Sequence, residues 1–189
     1  MSVREWSKLN YLDPERLLLG LREIALTQPL NELPYEVASL RTRELRRYGE
    51  GRQCALFCYF MGKALGINVQ VALIEKSDYD CVAYFERNGI NNFVPIQLKE
   101  FVPENVNLNA KLQSLINGLN KYTDSESLVV AIHLNQCGTI KMSELSFPTL
   151  NIGALWFFGA NGPDQTVWTI MGNVLKPNPR FYEFRYPGA

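Results

Sequence analysis

Residues 79–101, "YDCVAYFERNGINNFVPIQLKEF", read as two strands joined by a turn, and that reading decides the fold class. "YDCVAYFERN" is rich in the aromatic and β-branched residues of strands, and "GINN" has turn chemistry. In "FVPIQLKEF", residues 93–101, Val94, Ile96 and Leu98 alternate as a half-buried strand requires. Pro95 has no N–H to give to a central ladder, which weakens this run somewhat as a strand. Gln97 and Lys99 lie two residues apart on one strand face.

Working outward, "INVQVALIE", residues 67–75, predicts a strand just before this pair. It follows a dense apolar stretch, residues 50–65, expected to be a mostly buried helix closed by Gly66. Nearer the N-terminus, Asp13 and Pro14 mark the start of a helix over residues 13–27, and "QPLNELP" breaks it. The arginine-rich residues 35–47 predict a second helix, stopped near Gly49.

Downstream, Leu108, Leu112, Leu115, Ile116 and Leu119 fall on one stripe and predict a helix over residues 107–121. "SLVVAIHLN" is a strand, and "GALWFFGA" and "TVWTIMGNV" are two more, separated by the turn "NGPD". This order implies an α/β protein with a mixed central β-sheet flanked by helices. One domain is expected over residues 1–189, with a helical extension (1–42), a core (43–135) and C-terminal strands completing the sheet (136–189).

The 189 residues are 47% hydrophobic and 20% charged, the composition of a globular chain with a core. Basic and acidic residues balance at 19 each, so net charge selects no partner class. Locally, "RTRELRRYGEGR" (41–52) sets Arg41, Arg43, Arg46, Arg47 and Arg52 against Glu44 and Glu50, a candidate basic patch. No signal-peptide pattern and no apolar run near the ~20 residues that span a bilayer are present, so a cytoplasmic protein without membrane contact is expected. Cys54, Cys58, Cys81 and Cys137 form no CxxC pair and are expected to be reduced; a single histidine, His133, argues against a standard zinc site.

Asp80 begins the "YDCVAYF" strand, in preference to Asp78, because it directly precedes the apolar run. A metal-dependent phosphodiesterase needs oxygen ligands for Mg²⁺ or Mn²⁺. Asp80 would supply a carboxylate, Gln97 an amide oxygen, and Lys99 a positive charge for the phosphate or the attacking water.

Asp80 on one strand, Gln97-Leu98-Lys99 on the next, and the order helix–strand–strand–strand–helix–strand resemble the PD-(D/E)XK, or restriction endonuclease-like, nuclease superfamily. The match covers residues 43–135, and Gln in the acidic position looks like the variant of Mrr-type endonucleases. The resemblance implies an αβββαβ core, hydrolysis of phosphodiester bonds in DNA, and Glu50 from the first core helix as an auxiliary metal ligand. The Leu98 carbonyl would be a further ligand, and Arg43, Arg46, Arg47, Arg52 and Lys111 would contact phosphates. Because many such nucleases cut two strands as pairs, it also implies a homodimer.

Two other readings compete. One is a catalytically impaired nuclease fold acting as a nucleic-acid or protein binding module. The other is a papain- or transglutaminase-like enzyme with Cys54 near a helix start as nucleophile. His133 lies in an apolar run and reads as a satisfied core or edge residue. Trp156, Phe157, Phe158 and Trp168 read as sheet packing rather than a stacking surface.

Overall fold

The computed structural model describes residues 3–74, 79–123, 125–136 and 138–189. Asp78 and Cys137 lie outside the described residues. Helices are α1 (Val3–Trp6), α2 (Pro14–Thr27), α3 (Tyr35–Ala38), α4 (Arg46–Leu65) and α5 (Leu112–Asn117). Strands are β1 (Gln70–Leu73), β2 (Cys81–Arg87), β3 (Ile90–Phe101), β4 (Ser125–Leu134), β5 (Ile152–Ala160), β6 (Val167–Gly172) and β7 (Arg180–Arg185). The chain is an α/β protein whose helices gather N-terminally and whose seven strands form one mixed sheet in the order β1-β2-β3-β4-β5-β6-β7.

Packing separates two compact units, residues 1–94 with Gly188 and residues 95–187 with Ala189. In the first unit, Asp13 caps α2 as expected, its carboxylate accepting from the Glu15 and Arg16 amides at 2.8 and 3.4 Å. The expected helix over residues 35–47 is not formed. Helix α3 ends after one turn, Leu40 takes a left-handed φ of 57°, and α4 then runs straight through Gly49. Glycine lowers helix propensity, but packing overrides it here. A Cβ on Gly51 would sit 2.9 Å from Leu73 Cδ1, so the missing side chain leaves room for the tip of Leu73 against α4. Gly66 closes α4 in the left-handed region with φ 66°, as its position in the sequence predicts.

Strand β1 pairs antiparallel with β2, from Gln70↔Tyr84 to Leu73↔Cys81. Its outer side receives a bridge from Leu12 to Val71, with both backbone bonds at 2.9 Å. The reversal between β2 and β3 is tighter than "GINN" suggests. Asn88 and Gly89 both have positive φ, 54° and 73°, the pattern of a two-residue hairpin turn. Around it Tyr11, Tyr84 and Phe93 cluster with ring centroids 5.3–6.0 Å apart.

In the second unit, β3 pairs parallel with β4 from Ile96↔Val129 to Phe101↔Leu134, and β4 pairs parallel with β5. Pro95 does not weaken this ladder: it stands one residue ahead of the pairing with β4, where its missing N–H forfeits none of these bonds. The connection from β3 to β4 is shorter in helix than the leucine stripe predicts. Helix α5 begins only at Leu112 and passes into a 3₁₀ turn at Gly118. Asn107 Oδ1 accepts from the Asn109 amide at 3.0 Å, an Asx turn that competes with helix, and Leu108 is 81% exposed. Leu112, Ile116 and Leu119 are buried.

Strands β5, β6 and β7 continue as an antiparallel meander. The last of them, "RFYEFR", escaped the sequence reading; its half-exposed side chains lack a clean apolar face. At the β6 end, a Cβ on Gly172 would run into the Trp156 ring. Asp13→Ala is expected to cost about 1 kcal/mol through the lost cap. Gly172→Ala should cost roughly 1–3 kcal/mol through overpacking. Urea unfolding of both variants measures the two losses, and a Gly172→Ala protein as stable as the parent would contradict the packing of Trp156.

Candidate functional site

Helix α4 and the end of β1 build a cleft of about 610 Å³ in the first unit. Its walls include Leu17 and Leu21 of α2, and Leu73 and Ile74 at the end of β1. Glu50 and Asp80 line it together with Arg47, Tyr48 and Arg52. Glu50, Asp80, Arg47, Arg52 and Cys54, which the sequence singles out separately, thus meet around one cavity. Helical phase accounts for part of this: positions 47, 50, 51 and 54 share a face of α4 that turns towards β1 and the residue ahead of β2, whereas Tyr48 and Arg52 start from other faces of the helix.

Glu50 is half-buried and its Oε1 accepts from Arg46 Nε at 2.9 Å, across one turn of α4. The pair is largely exposed, so its contribution to stability is about 0–1 kcal/mol. Asp80 is half-buried and its carbonyl accepts from the Ile74 amide at 3.0 Å, one step beyond the Leu73↔Cys81 pair. Arg47 places its guanidinium 4.8 Å from the Tyr48 ring centre and donates to the Tyr48 hydroxyl at 2.8 Å. Tyr48 itself is 53% exposed. Arg43 and Arg46 are exposed on the same segment, and Arg52 is half-buried.

Gln97, Leu98 and Lys99 belong to the second unit, on the half of β3 that pairs with β4. Gln97 and Lys99 share a face, opposite Val130 and Ile132. Gln97 is buried at 6% exposure, so this is no solvated polar face, while Lys99 is half-buried. The Gln97 amide donates through Nε2 to the Leu98 carbonyl at 3.1 Å. Lys111 is exposed ahead of α5.

Cys54, which lines the cleft, and Cys58 and Cys81 are buried free thiols. Burial pushes the Cys54 thiol up; a hydrogen bond with Cys81 pulls it back, and the charges of Cys58, Asp80 and Glu50 add to the rise. Burial likewise pushes Cys81 up, reinforced by its bonds with Cys54 and Cys58. A nucleophilic cysteine needs a stabilised thiolate, and these surroundings oppose one. His133 is buried in the second unit, stacked at 4.9 Å on Phe158 and 5.6 Å on Trp168. Trp156, Phe157, Phe158 and Trp168 are all buried, in keeping with sheet packing.

Among the described residues, no group of three or more His, Cys, Asp or Glu is disposed to hold a metal ion, and no helix is long and apolar enough to cross a membrane. Comparison with protein-family models, with curated proteins and with solved structures finds no match to the chain.

The thiol cluster predicts an alkaline weakness. The folded-state values lie above the ordinary thiol value of 9.0. Stabilisation by the protonated cluster is therefore complete below that value and is lost as pH rises past it. The urea midpoint should fall above pH 9, and fall less in a Cys54→Ala/Cys81→Ala variant; equal slopes in the two proteins would rule out the cluster as the cause.

Proposed function

We propose that the protein is a metal-dependent, nuclease-type phosphodiester hydrolase acting on DNA, built on a restriction endonuclease-like αβββαβ core. The observation that carries this reading is the cleft itself, where two carboxylates and two guanidinium groups line one cavity. The run α4–β1–β2–β3–α5–β4 supports it, with Asp80 just ahead of β2 and Gln97–Lys99 on β3.

The donor set suits a hard divalent ion. Mg²⁺ is commonly held by one or two carboxylates, with waters and substrate phosphates completing its shell. Asp80 and Glu50 supply such a pair, and neither depends on a third acidic side chain. The reading gives Gln97 and the Leu98 carbonyl the remaining protein oxygens. Bound Mg²⁺ or Mn²⁺ would polarise the phosphate and acidify water.

The chain's own groups have distinct tasks. Lys99 steadies negative charge on the phosphoryl oxygens and orients the attacking water. Arg47 and Arg52 neutralise flanking phosphates, and Arg43, Arg46 and Lys111 extend that contact along the strand. Water oxygen bonds to phosphorus, one P–O ester bond breaks, and the water's proton ends on the departing alkoxide.

A binding module without hydrolysis is the second reading. It is favoured by the bond between Gln97 and Leu98, two expected ligands engaged with each other, and by Arg46 on Glu50. Calorimetric titration with Mg²⁺ separates the two, since silence on titration together with retained DNA binding would select the module.

On the hydrolase reading, chelation abolishes cleavage. Asp80→Ala, Glu50→Ala and Lys99→Ala should each slow it by about 10²-fold or more while leaving the urea midpoint near that of the parent. Variants cutting as fast as the parent would end the assignment. Arg47→Ala and Arg52→Ala should weaken DNA binding across sequences and lower the salt slope by about 1 each.

A further inference from the structure

We infer that the cleft takes an unpaired nucleotide, so that single-stranded DNA, and not intact duplex, is the substrate class. The inference rests on the phosphodiester reading of the same cleft and adds what that reading leaves open.

The walls decide it. Contact with a duplex backbone asks for cations on an open surface, because the phosphates run along the outside of a stiff rod. This cavity is concave, about 610 Å³, and walled by Leu17, Leu21, Leu73 and Ile74. Apolar walls give nothing to a phosphate. They suit the faces of a nucleobase, which is flat, apolar above and below, and polar at its rim. The volume lies in the range of pockets that enclose a small organic group, about 300–1,000 Å³.

The rim matches the rest of a nucleotide. Tyr48 stands at the cleft with half its surface exposed, and the Arg47 guanidinium lies 4.8 Å from its ring centre. With a planar cation over one face of the ring, the other face is the stacking platform, and it accepts any base because every base has a π-face. Arg47 and Arg52 supply positive charge for the phosphates on either side of the stacked nucleotide. A paired base inside a duplex has both faces covered and cannot reach such a platform without being drawn out of the stack.

Fluorescence anisotropy tests this with the full chain in chelator, where no cleavage occurs. The probes are a labelled single-stranded DNA of mixed sequence and the same strand annealed to its complement. The single strand should bind about tenfold or more tightly than the duplex. Tyr48→Ala should lose roughly tenfold on the single strand and little on the duplex, while Tyr48→Phe, which keeps the ring, should retain most of the affinity. Duplex bound as tightly as the single strand, with Tyr48→Ala without effect on either, overturns the inference. Mg²⁺-dependent cutting of duplex that ignores Tyr48 overturns it too, yet leaves the hydrolase reading standing. Tyr48-dependent binding of single strands with no cleavage in Mg²⁺ upholds it and removes the hydrolase reading instead.

Discussion

The close approach of α4 to β1 is the constraint on which the first unit and its cleft depend. Gly62, whose Cβ position lies 2.9 Å from the Ile67 carbonyl, leaves no room for a larger side chain where the chain leaves α4 for β1, and Gly51 lies against the tip of Leu73. A helix interrupted by Gly49 and Gly51 is poorly favoured on propensity, by about 1 kcal/mol for each glycine. It persists because Cys54, Leu56, Phe57, Cys58, Phe60 and Met61 are removed from water along its length. The same approach fixes the phase of the helix. Phase in turn decides that Glu50 and Arg47 face one cavity with Asp80, which Arg52 also lines.

In the second unit the corresponding role falls to the parallel ladder β3-β4-β5. Its registered rows place Leu98, Ala131 and Trp156 in one line, and Glu100, His133 and Phe158 in the next. Strands covered on both faces lose the alternation that marks a half-exposed strand. That is why Gln97 and Lys99 look like a polar face in one dimension, although Gln97 is buried. The histidine follows the same logic: grouped with the Phe158 and Trp168 rings, it packs as a flat ring.

Much of the local structure was legible from residues alone. Asp13 and Pro14 announce α2, Gly66 ends α4, and "SLVVAIHLN" and "GALWFFGA" are strands where their composition says so. The misreadings share one cause, a local signal set against a long-range contact or a local polar competitor. Gly49 looked like a stop because nothing nearby in sequence shows Leu73 waiting for Gly51. The stripe from Leu108 onwards looked like one long helix, but Asn107 bonds its own neighbourhood and leaves Leu108 in water. The candidate site was half legible. Asp80 and Glu50 could be named as acids beside apolar runs, whereas Tyr48 carried no signal until the cleft placed it beside them.

By itself, then, the sequence determined the alternation of helices and strands, the α/β class, and which acids and arginines were available for chemistry. Capping, turn and periodicity rules act over a few residues, so one dimension suffices for them. The tertiary structure alone decided that α4 is continuous, that Pro95 stands just ahead of a parallel ladder, and that Gln97 is buried. It alone gathered Glu50, Asp80, Arg47, Arg52 and Tyr48 around one cavity. These outcomes depend on which surfaces the chain buries against each other, and that balance is struck between residues far apart in sequence.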